Sequence, residues 1–153
     1  MEVTRFKLPV KHYKPRELQL AYLAVQMKIL RGRCVFNYRL EPPLRPRRPG
    51  ESEEEYLWWQ FLRSKEIDAV CFEGDTAYIV EFKDRARPSG VGQLLTYRDL
   101  FLEQTKWRGK VKLYYIVGEG DPQVEEVCKR LGIEVFVLGV PCLLYTSPSP
   151  RDS

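Results

Sequence analysis

Apolar and polar positions along this chain follow two periods, and the changes between them mark its elements. Apolar residues at helical spacing, with proline or capping residues at the start, predict four helices: from Pro15 to Gly32, from Ser52 to Arg63, from Pro88 to Gln104, and after Asp121-Pro122 to Gly132. Runs rich in β-branched and aromatic residues predict five strands: 34–40, one on each side of Gly74-Asp75, 111–118 and 133–138. A weak alternation suggests an edge strand at 3–10.

The central stretch, Ile67 to Gln93, contains a hairpin whose register follows from the sequence. Gly74-Asp75, with glycine first, is typical of a type II′ turn, and pairing the residues that flank the turn fixes every later pair. In this register Asp68 lies opposite Glu81. Directly opposed side chains share one face, with Cβ atoms about 4.5–5.5 Å apart, and like charges there destabilise a sheet. A bound cation would remove that cost.

Alternation along the hairpin places Lys83 on the same face as Glu81, with Glu66 opposite Lys83. The other positions are apolar on both faces: Val70, Phe72, Ala77 and Ile79 on the acidic face, and Ile67, Ala69, Cys71, Tyr78, Val80 and Phe82 on the other. This predicts a sheet that is covered on both sides. Charged groups at one end of such a buried hairpin are destabilising unless they are paired or bind a metal.

Three features together, Asp68, Glu81-Phe82-Lys83 and a helix beginning Gly92-Gln93-Leu94-Leu95, resemble the PD-(D/E)xK phosphodiesterase superfamily. The resemblance covers about residues 15–117, with an isoleucine where the family often has a proline before the aspartate. It implies an α/β fold: a restriction-endonuclease-like αβββαβ core, with a mixed central sheet flanked by helices. The helix at about 52–63 would be an insertion, and a further αβ unit would follow the core.

The resemblance also implies roles for the site residues. Asp68, Glu81 and the backbone carbonyl of Phe82 would hold Mg²⁺ or Mn²⁺. Lys83 would act on the attacking water, and Gln93 would support the site from its helix. Because two carboxylates favour a cationic lysine, we expect Lys83 to position water and stabilise charge rather than act as a base.

Glu17, in the first turn of the first helix, is a further candidate, since many relatives place a helix acid near the metal. The helix dipole alone would also favour an acid there. Candidate phosphate contacts are arginines in two loops: Arg45, Arg47 and Arg48 in a proline-rich loop, and Arg85 and Arg87 where the hairpin leaves the sheet. Each group could instead be solvated or balance nearby acids.

Composition constrains the class of protein only loosely. The 153 residues suffice for one domain, expected at 1–141, and 44% hydrophobic with 30% charged residues is an ordinary balance. A net charge of +4 permits contact with nucleic acid without demanding it. No apolar run reaches the length of a membrane span and no signal peptide is evident, so we expect a cytoplasmic protein with no membrane partner.

The last residues, 142–153, change abruptly in composition and resemble the conceptual translation of a sequencing-library adapter. We expect this segment to be an artefactual, disordered tail and the natural sequence to differ beyond about Pro141. Four cysteines, Cys34, Cys71, Cys128 and Cys142, lie far apart without a Cys-x-x-Cys pair, which argues against a zinc or iron–sulfur site. We expect reduced core cysteines.

Three functions remain open from the sequence. The first is a metal-dependent nuclease acting on DNA, either endo or exo. The second is a non-catalytic phage or mobile-element assembly protein, or a DNA-binding protein, with the same fold. The third is a structural charge network formed by Asp68, Glu81, Glu66 and Lys83 in an unrelated α/β domain. Nucleic acid is the expected partner, and a homodimer or larger complex is left open.

Overall fold

The computed structural model describes residues 15–139, so the weak strand at 3–10 and the tail at 142–153 lie outside it. The elements, in chain order, are α1 (Pro15–Gln26), β1 (Arg33–Arg39), α2 (Glu53–Arg63), β2 (Glu66–Glu73), β3 (Thr76–Arg85), α3 (Pro88–Thr105), β4 (Lys110–Glu119), α4 (Pro122–Arg130) and β5 (Ile133–Val137). This order confirms the predicted αβββαβ core, the inserted helix and the added αβ unit.

The strands form one mixed sheet in the order β1-β2-β3-β4-β5. The first three strands pair antiparallel, and β3, β4 and β5 pair parallel through crossovers that contain α3 and α4. Residues of α1 pack into the core on one face, and residues of α3 and α4 pack on the other. The predicted sheet, covered on both sides, is confirmed.

The β2–β3 hairpin has the predicted register from Glu73 with Thr76 as far as Ala69 with Val80. The predicted pairs of Asp68 with Glu81 and of Glu66 with Lys83 lie beyond the last pair of this ladder. Gly74 has a φ of +61°, whereas Asp75 is not among the residues with positive φ. One positive φ at the first turn position is the signature of the predicted type II′ turn.

One prediction for this hairpin is wrong: Ile67 does not share a face with Ala69. Ile67 packs with the α3 side of the core, whereas Ala69 packs with the α1 side. The cause lies across the ladder in β1, where Asn37 has a φ of +53° and falls between the pairs Phe36–Ala69 and Tyr38–Ile67. A left-handed residue inside a strand interrupts the alternation of side chains, and here the interruption falls opposite Asp68.

Helix α1 ends at Gln26 rather than at the predicted Gly32. Lys28 takes a left-handed conformation with φ of +61°. The Ile29 N–H then donates to the Ala24 carbonyl and the Lys28 N–H to the Val25 carbonyl, which is the Schellman pattern. The sequence prediction placed the stop at glycine, but a lysine closes the helix four residues earlier.

Helix α2 begins with the predicted capping box between Ser52 and Glu55. None of its residues is buried, and Trp58 is 60% exposed. Trp59 instead stacks on Tyr56, with ring centroids 5.7 Å apart. The helix and the preceding loop therefore pack mainly on each other.

The cysteines also differ from expectation. Cys34 and Cys71 face each other across the β1–β2 ladder and form a disulfide, so the prediction of reduced thiols is wrong for this pair. Cys128 is a free, buried thiol of α4, as predicted, and Cys142 lies outside the described residues. Within residues 15–139, no helix has the length and apolar character needed to cross a bilayer.

Candidate active site

The two acids of the hairpin lie where β2 and β3 separate. The last pair of the ladder is Ala69 with Val80. Beyond it, the Phe82 N–H donates to Oδ2 of Asp68 at 2.8 Å. Because a paired residue in an antiparallel ladder directs its N–H and C=O to the same neighbour, the Phe82 carbonyl also faces the Asp68 side. Asp68 thus occupies a place that backbone pairing would otherwise take.

Glu81 is the one buried charged side chain among residues 15–139, with 3% of its surface exposed. Lys83 lies one alternation step along β3, with Nζ 3.7 Å from Oε2 of Glu81. Glu17 of α1 is close enough for its charge to act on both acids. The structure therefore brings Asp68, Glu81, Lys83 and Glu17 together.

The electrostatics of this group are unfavourable to two carboxylates. Burial raises the pKa of Glu81 well above its ordinary range, and the neighbouring charge of Asp68 raises it further. Burial likewise raises the pKa of Asp68, with a contribution from Glu17, while the hydrogen bond from Phe82 and the charge of Lys83 oppose that rise. The charge of Lys83 opposes both rises, but the effect of burial is larger for each acid.

Gln93 and Tyr97 occupy adjacent turns of α3. Gln93 Nε2 donates to the Tyr97 hydroxyl oxygen at 3.4 Å. Burial raises the pKa of Tyr97, and the charges of Glu81 and Asp68 raise it as well, which places Tyr97 beside the acids. Two buried oxygens in this region, Oε1 of Gln93 and Oε1 of Glu81, have no hydrogen-bond partner within residues 15–139. Buried oxygens of this kind normally have a partner, so each can accept a hydrogen bond from a water or a substrate group, or bind an ion.

The start of α3 is fixed by Tyr115 of β4. Its hydroxyl accepts from the Arg87 N–H at 2.9 Å and donates to the Arg87 carbonyl at 3.0 Å. Gly90 lies directly over that ring, because a Cβ there would collide with the Tyr115 hydroxyl and ring. This contact holds the first turns of α3, and hence Gln93, at a set distance from the sheet.

The residues present fit Mg²⁺ or Mn²⁺ better than a metal that needs many protein ligands. The described chain contains no group of three or more His, Cys, Asp or Glu arranged for a metal ion. Mg²⁺, however, commonly uses one or two carboxylates and keeps several waters or substrate phosphates. Asp68, Glu81 and the Phe82 carbonyl would supply that oxygen set, and the unpartnered Oε1 of Glu81 is available for it.

Arg45 is positioned differently from the phosphate contact expected of it. Its guanidinium makes two hydrogen bonds to the Glu51 carboxylate, at 2.9 and 2.8 Å, and lies 4.2 Å from the Trp59 ring centroid. The hydrogen bond from Arg45 is the main reason that the pKa of Glu51 falls to about 2. Arg45 therefore ties the proline-rich loop to α2, and any phosphate contact from this loop rests on the exposed Arg47 and Arg48.

The start of the proline-rich loop also lies far from Gln93. The Glu41 N–H donates to Oε1 of Gln104, near the C-terminal end of α3. Gln104 lies eleven residues beyond Gln93, or about 16 Å along the helix. The other two arginines lie at the end of the strand that carries Glu81. Arg85, which is exposed, is the last residue of β3, and Arg87 pairs with Asp84 at 2.9 Å.

The sequence analysis missed Asn37 as a feature of this site. Its Oδ1 is buried without a hydrogen-bond partner in the part of the chain that the structure covers, and its backbone lies opposite Asp68. An asparagine within an apolar strand was the available signal, because asparagine tolerates the left-handed region better than most residues. The close contact between Gly90 and the Tyr115 ring had no comparable signal in the sequence.

The sequence matches no protein-family profile and no curated protein sequence. Among solved structures, a repair endonuclease from Pyrococcus abyssi is similar at 17% identity, with a TM-score of 0.50 over 84% of this chain and 48% of that chain. EndoMS in its apo form is similar at 18% identity, with a TM-score of 0.48 over 89% of this chain and 50% of that chain. This chain thus spans about half the length of either protein. Its restriction-endonuclease-like fold, a five-stranded mixed sheet flanked by helices, is the fold it shares with a repair endonuclease.

Proposed function

We propose that this chain is a metal-dependent nuclease that hydrolyses phosphodiester bonds of DNA. The observation that carries the proposal is the pair of Asp68, which is half-buried, and Glu81, which is buried, with the Lys83 ammonium 3.7 Å from Glu81, at the end of a hairpin whose core positions are apolar. A fold that needed only stability would gain from neutral residues at these positions. A divalent cation is a partner that makes two adjacent, poorly solvated carboxylates favourable.

Hydrolysis joins a water oxygen to phosphorus and breaks the bond from phosphorus to the leaving oxygen, which takes up a proton. A divalent cation held by Asp68, Glu81 and the Phe82 carbonyl would lower the pKa of water and offset the charge of the phosphate. Lys83 donates hydrogen bonds to a phosphate oxygen as negative charge grows on it. Gln93 directs its free Oε1 to a hydrogen of the attacking water, because its Nε2 is taken by Tyr97.

DNA as the substrate draws support from the similar structure from Pyrococcus abyssi, which is named a repair endonuclease. The mild positive charge of +4 is compatible with it. Arg47, Arg48, Arg85 and Arg87 are the proposed phosphate contacts, and an intracellular location belongs to the same proposal. The likeness to an endonuclease also favours internal cleavage over digestion from an end.

The test is cleavage of supercoiled and linear plasmid with Mg²⁺, Mn²⁺ or EDTA. We expect cleavage only with a divalent cation, and a loss of about 10²–10³-fold in Lys83→Ala, since Lys83 stabilises transition-state charge. Lys112→Ala, an exposed lysine of β4, is the matched control and should retain activity. Nicking of the supercoiled circle identifies endonuclease action, since a circle has no ends.

Two other outcomes would overturn this proposal. Binding of DNA without cleavage, by wild type and Lys83→Ala alike, would favour the non-catalytic use of the fold. Calorimetric titration that finds no Mn²⁺ site sensitive to Asp68→Asn would favour a purely structural charge network.

A further inference from the structure

Helix α2 carries an apolar face that the rest of the described chain does not cover. Leu57, Trp58, Phe61 and Leu62 are 53–60% exposed, and the rings of Trp58 and Phe61 stack with centroids 5.4 Å apart. We call these four residues the apolar face of α2. At roughly 100 Å² of exposed surface each, they reach the few hundred Å² that usually mark an interaction site on a monomer.

The charges at the two ends of this face are opposite. Glu54 precedes the apolar face by three positions, within an acidic first turn formed by Glu53, Glu54 and Glu55. Lys65 follows the face by three positions, and its ammonium donates to the Arg63 carbonyl, which places it over the C-terminal end of α2. The order of residue types is therefore symmetric about a point between residues 59 and 60: acid, two apolar residues, two apolar residues, base.

We propose that the apolar face of α2 binds the same face of a second copy of this chain, with the two α2 helices antiparallel about a two-fold axis. The axis passes between residues 59 and 60. Trp58 then faces Phe61 of the second copy, and Glu54 faces Lys65 of the second copy. Such a contact is self-complementary, as a two-fold interface requires.

The charges at the ends of α2 favour a second copy of the chain over nucleic acid as the partner of the apolar face. Single-stranded nucleic acid could stack on Trp58 and Phe61, but its phosphates would meet the three glutamates of the first turn. In the antiparallel pair, those glutamates lie beside the basic end of the other helix, formed by Arg63 and Lys65. The opposite charges thus also fix the direction in which the two helices pack.

The area of the contact predicts its strength. The two apolar faces together bury roughly 800 Å², and the flanking charged residues bring the contact near the ~1,000 Å² lower limit of specific interfaces. We therefore expect a reversible dimer rather than a permanent one. This inference does not depend on the nuclease activity, because it uses none of the residues of the acid pair.

Sedimentation equilibrium of the full chain over a dilution series is the test. We expect wild type to pass from monomer to dimer with concentration, and Trp58→Glu to raise the dissociation constant at least about a hundredfold, as at a central interface residue. Tyr22→Glu, on the 53% exposed tyrosine of α1, is the matched control and should dimerise like wild type. Circular dichroism confirms that each variant is folded.

A charge exchange tests the orientation without changing the apolar face. Glu54→Lys places lysine opposite Lys65 of the second copy, so dimerisation should weaken by about tenfold. The double variant Glu54→Lys with Lys65→Glu restores opposite charges and should recover the wild-type constant. The inference is overturned by a wild type that stays monomeric up to about 1 mM, by a dimer that Trp58→Glu leaves intact, or by failure of the double variant to recover. It is also overturned if a monomer binds single-stranded DNA through Trp58.

Discussion

The acid pair is the residue-scale feature that most needs a physical explanation. Asp68 uses one oxygen to replace a backbone acceptor for Phe82, and Glu81 keeps one buried oxygen without a hydrogen-bond partner in the described structure. Burial raises the pKa of both carboxyls. In the metal-free protein, the two carboxyl groups therefore lie in an environment that opposes their negative charge. This lowers the free energy of unfolding.

Glu81→Gln should therefore stabilise the metal-free protein. The folded-state pKa of Glu81 is raised above its ordinary 4.5, so the folded protein is most stable below that pH and loses stability as pH rises. Glutamine does not ionise, so the variant does not lose stability in this way. We expect its free energy of unfolding to exceed that of wild type by on the order of 1–3 kcal/mol at neutral pH. Urea unfolding in EDTA at about pH 8 and about pH 4 should show the gain only at the higher pH.

The same variant should lose the stabilisation that Mn²⁺ confers on wild type, about 2.7 kcal/mol at a concentration one hundred times the dissociation constant. If wild type were instead the more stable protein in EDTA at neutral pH, the ion pair with Lys83 would outweigh the desolvation of Glu81. The acid pair would then stabilise the metal-free fold, and its need for a cation would disappear.

Asn37 shows a second residue-scale effect, in which one backbone angle sets where side chains point. Its φ of +53° accompanies the change of face between Ala69 and Ile67 across the ladder. Asn37→Val should cost about 1–3 kcal/mol of unfolding free energy, because a β-branched residue is strained at positive φ. Asn37→Gly, which accepts that angle, should remain within about 1 kcal/mol of wild type. Equal losses in both variants would show that the amide group, not the angle, is what matters.

At the scale of elements, the site depends on how α3 meets the sheet. Tyr115 holds the backbone of Arg87 through two hydrogen bonds, and Gly90 leaves room for its ring. The helix then carries Gln93 and Tyr97 on adjacent turns, with Tyr97 in electrostatic range of Glu81 and Asp68. The resemblance could name Gln93 as a site residue, but not the contact that holds its helix.

Substitutions at two glycines of α3 distinguish the effect of this contact from the effect of helix propensity. Gly90→Ala should displace Tyr115 and destabilise the protein by about 1–3 kcal/mol, in the range of overpacked sites. Gly92→Ala, where an added Cβ meets no atom within 4 Å, should instead stabilise it by about 0.5–1 kcal/mol. Thermal melts of both variants test the difference, and cleavage or Mn²⁺ binding should decline only in Gly90→Ala. Stabilisation by both substitutions would exclude a tight contact at Gly90.

At the scale of the whole molecule, the disulfide joins two strands through cysteines that are 37 residues apart in sequence. It closes the segment that contains the proline-rich loop and α2, and α2 contributes no buried residue to the core. Restricting a loop of this length in the unfolded chain stabilises the fold. A cross-link between β1 and β2 is also compatible with the separation of β2 from β3 near Asp68.

Reduction, or the double variant Cys34→Ala with Cys71→Ala, should lower the unfolding free energy by about 2–4 kcal/mol. Thiol titration of the denatured, unreduced protein should find no more than two thiols, since Cys34 and Cys71 are paired. Cys142→Ser is the control, because it should change the thiol count without changing stability through this loop. Four titratable thiols and no effect of a reductant would contradict the disulfide.

Periodicity and local backbone preference were sufficient to predict the order of elements, the type II′ turn and the hairpin register. Register, a short-range rule, also predicted that Asp68, Glu81 and Lys83 share a face, whereas Gln93 was named through the resemblance to the PD-(D/E)xK superfamily. Four features instead required the folded chain: the break in alternation opposite Asn37, the closure of α1 at Lys28, the pairing of Cys34 with Cys71 and the engagement of Arg45 by Glu51. Each of these depends on which residues meet across the fold, or on backbone angles that a non-glycine residue adopts only where surrounding contacts compensate for the strain.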